Sequence, residues 1–148
     1  MRRDYTRLFL HAVWATWDRL ALIEPAWEPR LYGALRSKCT ELGCELLAVG
    51  SVANHVHVAV RFPPVLSISD LMHDLKGSTS HLVSHEINPG HFFKWMGRYG
   101  AFSLRKSDVP DVCDYIERQK IHHAERRLWT EFERFEEIVD EASCGAAL

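Results

Sequence analysis

The sequence predicts an α+β fold: a ferredoxin-like, split β-α-β antiparallel sheet with helices on one face and further helices at the C-terminus. Three observations carry this expectation. Segments of strand-like apolar character interleave with segments whose apolar residues recur every three or four positions, in the order β-α-β-β-α-β. The chain has 148 residues, 47% of them hydrophobic and 26% charged, which suits one soluble domain with one sizeable core. No internal repeat, low-complexity tract or Gly/Ser linker divides it, so residues 1–148 read as a single domain.

The first strand is "RLFLHAVWATW", residues 7–17, where Leu8, Leu10, Ala12 and Trp14 alternate with Phe9, His11 and Val13. Both faces are apolar, so it belongs at the centre of the sheet. In "EPAWEPRLYGALRSKCTELG", Pro25 and Pro29 suit a loop and a helix start, Leu31, Leu35, Cys39 and Leu42 form a stripe, and Gly43 ends it. "CELLAVGSVANHVHVAVRF" reads as two strands joined by a turn near Gly50 to Asn54. Ser67, with Asp70 three residues on, caps a second helix whose buried face carries Ile68, Leu71, Met72, Leu75, Leu82 and Val83. Gly77 in its middle costs about 1 kcal/mol relative to Ala, so either the helix bends there or something approaches the backbone. A strand interrupted at Gly97 to Gly100 follows. Ser107 or Asp108 and Pro110 then open a helix through "VPDVCDYIERQKIHH". A successor helix would bury Leu128, Phe132, Phe135 and Val139.

Composition excludes several classes. No apolar run is long enough to span a bilayer, and the N-terminus lacks the apolar core of a secretory signal, which makes the cytoplasm the expected compartment. Cys39, Cys44, Cys113 and Cys144 contain no Cys-x-x-Cys pair, so they read as reduced, packed thiols rather than a zinc ribbon or disulfide framework. A net charge of −2 argues against a protein that coats nucleic acid everywhere, but charge is segregated along the chain. Between Phe92 and Ser107 every charged residue (Lys94, Arg98, Arg105, Lys106) is positive, whereas Glu131 to Glu141 is acidic and reads as a packed helix with a solvated face.

The chemistry centres on "SVANHVHVAV". Residues i and i+2 of a strand share a face, so His55 and His57 lie on one side, about 7 Å apart along the strand. Spacing alone leaves two readings open: two imidazoles satisfied within a sheet, or two ligands of one cation. Tyr115 and Gln119 stand four residues apart on the expected helix, on one face, and offer an oxygen nucleophile and a neutral amide. His122 and His123 follow on other faces and read as helix-end residues or phosphate contacts. Lys76 and Ser78, beside Gly77, could take a phosphate or be exposed polar groups on a kinked helix. Arg98, Tyr99, Arg105 and Lys106 suit single-strand binding by charge and stacking, or a solvated hairpin. Trp14, Arg7 and Arg19 are further candidates. No carboxylate is placed by spacing as a general base.

"ANHVHVAV" resembles the His-hydrophobe-His (HUH) motif of single-tyrosine transposases of bacterial insertion sequences (IS200-like) and their REP-associated relatives. "VWATWDR", "LKGSTSHLV", "WMGRYGAFSL" and "VCDYIERQKIHH" continue the resemblance in the family's order, from Val13 to His123. The resemblance implies Mg²⁺ or Mn²⁺ held by His55, His57 and Gln119, with Tyr115 as nucleophile. It implies cleavage of single-stranded DNA, presented with a hairpin, through a 5′-phosphotyrosine and a free 3′-OH that can later reverse the step. These residue types suit that chemistry: neutral ligands leave the cation's charge to the phosphate, and a tyrosine of ordinary pKa about 10 must lose its proton during attack. A homodimer is the expected assembly, with a monomer the alternative. A domesticated hairpin-binding protein of the same fold, without transposition activity, is the second reading; a general phosphodiesterase is the third.

Overall fold

The computed structural model describes residues 2–125 and 133–134. Two strands form the centre of the sheet, β1 (Leu8–Ala15) and β3 (His55–Phe62), flanked by β2 (Glu45–Val52) and β4 (Gly100–Leu104). The strand order is β2-β3-β1-β4 and every pairing is antiparallel, which is the split β-α-β arrangement that the alternation predicts.

The two faces of the central strands have different tasks. Leu10, Ala12 and Trp14 of β1 and Val56, Val58 and Val60 of β3 face α1 (Glu28–Glu41) and α2 (Ile68–Leu82). With Leu31, Leu35, Leu71 and Leu75 they form the main core. Each of those leucines is fully buried and contributes about 1.5–3 kcal/mol of burial. The opposite face carries His11 and Val13 of β1 and His55, His57 and Ala59 of β3, with Val13 directly opposite His57. Here α3 (Val109–Glu117) packs Val112 and Ile116 onto Ala48 and Ala59. The pair α1/α2 therefore fills the predicted single helical face, and α3 crosses behind the sheet.

Local signals place the helix ends. Pro29 lies in the first turn of α1, and Gly43 beyond its last turn has φ 77°, a conformation that favours glycine. Ser67 Oγ accepts from Asp70 N at 3.0 Å at the start of α2.

Four expectations need correction. Gly50 is not a turn residue: β2 continues to Val52, and Gly50 pairs with His57. A Cβ at Gly50 would stand 1.8 Å from the Ile116 carbonyl oxygen, so its glycine admits the end of α3 onto the sheet. Gly100 likewise begins β4 rather than interrupting it, and a Cβ there would meet Arg134 O at 1.9 Å. At Gly77, α2 runs on to Leu82 and nothing lies within 4 Å of a Cβ, so no close approach explains that residue. The helix expected through His123 is two, α3 and α4 (Gln119–Glu125), separated at Arg118, whose φ −103° and ψ 24° leave the helical range. Leu128, Phe132, Phe135, Val139 and Cys144, and the acidic stretch 131–141 apart from residues 133–134, lie outside the described residues. Cys39, Cys44 and Cys113 are free thiols. No described helix is long and apolar enough to cross a membrane.

Candidate active site

The sheet face opposite α1 and α2 gathers the reactive side chains. His57 is fully buried and His55 is 8% exposed. Their Nε2 atoms lie 3.2 Å and 3.1 Å from one oxygen, Oε2 of Glu133. The other oxygen of that carboxylate, Oε1, accepts a hydrogen bond from the Tyr115 hydroxyl. The Tyr115 ring is edge-on to His57, with centroids 6.1 Å apart, and stacks on His122 at 4.8 Å. Tyr115, His55, His57 and Glu133 therefore meet within a single chain.

Burial alone would raise the Glu133 carboxyl. Its contacts with His55, His57 and Tyr115 outweigh that and hold it well below the usual carboxylate range. Burial lowers the His57 imidazole, and Glu133 opposes that shift. On the far side of His57 stands His11, fully buried, with Nε2 2.9 Å from His57 Nδ1 and the two rings stacked. Burial, then the neighbouring His57, pushes the His11 imidazole down to about 3, so it is neutral at ordinary pH. His55 Nδ1 is 2.7 Å from Asn54 Oδ1.

Gln119 is buried beside this cluster. Its Nε2 donates to the Tyr115 carbonyl at 3.2 Å, and its Oε1 lies 3.1 Å from His123 Nε2. His123 in turn adjoins His55, with ring centroids 4.8 Å apart, and its Nε2 is 3.7 Å from Glu133 Oε2. So Gln119 approaches the histidine pair through His123. His122 and His123, expected on other faces than Tyr115 as helix-end residues or phosphate contacts, are brought beside His55 and Tyr115 by the break at Arg118, which resets the helical phase after Tyr115. The start of α4 is fixed by Lys120, whose Nζ donates to Glu28 Oε2 at 2.8 Å and to Ser51 O at 3.1 Å. Tyr32 donates to the same Glu28 carboxylate at 3.0 Å.

The family profile described as "Transposase IS200 like" matches residues 4–119. The chain belongs to the IS200-like transposase family. No curated protein sequence matches it. Among solved structures, a Deinococcus radiodurans R1 protein assigned as a transposase is similar at 25% identity and a TM-score of 0.63, over 80% of this chain and 95% of that one. A REP-associated tyrosine transposase bound to a REP hairpin shares the fold at 16% identity and a TM-score of 0.62, over 95% of this chain and 93% of that one.

Glu133 lies beyond the family's matched region and is the site residue that sequence reasoning missed. Its only signal is indirect: Gly100 leaves room for the backbone of residue 134 to cross the sheet. The remaining candidates are dispersed over the family fold. Lys76 is half-buried and its Nζ donates to the carbonyls of Met96 (2.6 Å) and Arg98 (3.2 Å), which pins that loop to α2. Burial lowers its ammonium. Ser78 donates back to Leu75 O at 3.4 Å. Arg98 is exposed and Tyr99 half-buried against the core. Arg105 pairs with Asp108 at 3.1 Å, beside exposed Lys106. Trp14 is in the core against Trp95 and offers no surface. Trp17 is an exposed aromatic near that segment, with Lys94 Nζ 4.1 Å above its ring, at the edge of an open groove of about 770 Å³ shared with Asp18, Met96, Gly97 and Arg98.

Proposed function

We propose that this transposase-family chain cleaves and rejoins single-stranded DNA, presented with a hairpin, through a 5′-phosphotyrosine on Tyr115. The observation that carries the reading is one carboxylate shared between a nucleophile and a histidine pair. Glu133 Oε1 accepts from the Tyr115 hydroxyl while Oε2 sits on both imidazole Nε2 atoms.

The donor set fits a divalent cation: one atom each from His55, His57 and Glu133 lies within 4.8 Å of the others. His55, His57 and Glu133 would hold Mg²⁺ or Mn²⁺, with Gln119 as the neutral oxygen donor beside His123. When bound, such an ion neutralises charge on the non-bridging phosphate oxygens.

The chain's own groups carry the covalent step. Tyr115 Oη bonds to phosphorus as its proton passes to Glu133 Oε1. The bond from phosphorus to O3′ breaks, and that oxygen takes a proton from water and leaves as a 3′-OH. In the return step the 3′-OH attacks the phosphotyrosine, its proton passes to water, and Tyr115 recovers a proton from Glu133. Bond energy is conserved in the covalent intermediate, so no external energy source is required. Lys76, Ser78, Arg98, Tyr99, Arg105 and Lys106 are proposed to follow the strand. Within that set Lys76 acts by holding the loop that carries Arg98, and Trp17 with Lys94 adds a stacking surface.

The test uses a hairpin-bearing oligonucleotide labelled at its 3′ end, incubated with Mg²⁺ or Mn²⁺ and then denatured. Label should stay on the protein, vanish in Tyr115→Phe, and appear about 10²- to 10⁴-fold more slowly in Glu133→Gln. Hairpin binding without adduct would favour the domesticated binding protein. Cleavage without adduct would favour a phosphodiesterase.

A further inference from the structure

His11 has no part in the chemistry above, yet it is fully buried in a central strand where an apolar side chain would meet no desolvation cost. Among its neighbours on that face are Ala59, directly across on β3, Phe102, directly across on β4 with ring centroids 5.6 Å away, and His57. Its Nε2 points at the back of His57, 2.9 Å from Nδ1. We propose that His11 is a positioning residue that sets the orientation and tautomer of His57, so that His57 presents the lone pair of Nε2 to a cation. This rests on the metal reading of the site and deepens it.

The chemistry is constrained by counting protons. A neutral imidazole carries one N–H, and a ring that ligates through Nε2 must carry it on Nδ1. At His57 the Nδ1 partner is His11 Nε2, which accepts that proton when His11 carries its own on Nδ1. His55 is served in the same way by a different residue: Asn54 Oδ1, a carbonyl oxygen, can only accept, so a neutral His55 that donates from Nδ1 has its Nε2 lone pair, now 3.1 Å from Glu133 Oε2, to offer a cation. Both rings are thus held from behind, one by the residue before it in sequence and one from the adjacent strand. That explains how two imidazoles on neighbouring positions of one face can both turn Nε2 to the same point. Partners of this kind typically alter metal affinity by about 10- to 100-fold when removed.

The experiment measures Mn²⁺ binding by electron paramagnetic resonance or calorimetry in the full chain, without DNA. His11→Phe keeps a ring against His57 and Phe102 but offers no acceptor; it should weaken Mn²⁺ binding by about 10- to 100-fold. His11→Gln restores an acceptor and should recover part of the loss. In the unaltered protein, loaded with diamagnetic Mg²⁺, long-range ¹H–¹⁵N correlation should show His57 protonated at Nδ1. Undiminished Mn²⁺ affinity in folded His11→Phe, or a His57 proton on Nε2 in the Mg²⁺-loaded protein, overturns the inference while leaving the metal reading intact. Wild-type protein that binds no Mn²⁺ overturns the metal reading, and this inference falls with it.

Discussion

Substituting Gly50 by Ala tests whether the sheet sets the height of Tyr115, the proposed nucleophile. A Cβ at this position would lie 1.8 Å from Ile116 O and 2.8 Å from Ile116 C, both backbone atoms that cannot rotate away. An ordinary carbon-to-oxygen contact is about 3.3 Å, so the end of α3 must retreat by about 1.5 Å. Tyr115 is the residue before Ile116, and Gly50 is the direct cross-strand partner of His57, so the displacement opens the gap between Tyr115 and the histidine pair. Misplacement on that scale costs about 100-fold in rate, and overpacking costs about 1–3 kcal/mol of stability. The assay is the rate of covalent adduct formation, with urea denaturation on the same preparations. Gly33→Ala is the control: Gly33 is exposed in α1 with nothing within 4 Å of a Cβ, and should gain about 0.5–1 kcal/mol with no change in rate. A Gly50→Ala protein that forms adduct at the wild-type rate would refute the close approach as the device that positions Tyr115.

Three further outcomes follow from the geometry. Because Tyr115, His55, His57 and Glu133 meet in one chain, mixing Tyr115→Phe with His57→Ala protein should restore no adduct, and restoration would mean the site assembles across two chains. Burial would raise the Glu28 carboxyl, but hydrogen bonds from Lys120 and Tyr32 outweigh it and hold the group below its ordinary value. A depressed carboxyl contributes stability that is complete above the unfolded-state pKa and is lost as pH falls through the lower folded-state value. Wild type should therefore lose stability relative to Glu28→Gln on acidification, read from urea midpoints between neutral pH and pH 3, and parallel curves would refute it. Arg98→Ala should lower the slope of log K against log salt for single-stranded DNA by about 0.7, measured by fluorescence anisotropy; an unchanged slope would remove Arg98 from the phosphate contacts.

The architecture and half of the site are legible in the sequence, for a physical reason. Strand alternation and helical stripes report which face each residue takes, so the order of elements and the shared face of His55 and His57 are readable directly. What escapes is anything set by a backbone passing close in space. Gly50 and Gly100 look like turn signals because glycine usually marks turns; here each removes a side chain so that a distant carbonyl can come near. Glu133 is invisible for the same cause, since no periodicity connects it to residues about eighty positions earlier. The break at Arg118 is likewise a local backbone event inside an otherwise helical pattern, and it brings His122 and His123 to the site.

The two glycines have a consequence for how sequence change can reach the candidate site. One sits on β2 and the other on β4, to either side of the central pair that carries His11, His55 and His57. Each lets a main-chain carbonyl rest on the sheet, Ile116 O at one flank and Arg134 O at the other. The heights of Tyr115 and Glu133 are then gauged from main chain to main chain, with no side chain of variable size in the gap. Substitutions in the surrounding core can alter packing and stability while these two reference contacts keep the same clearance. Tolerance to change should be broad across the apolar interior and narrow at two positions that carry no functional group at all.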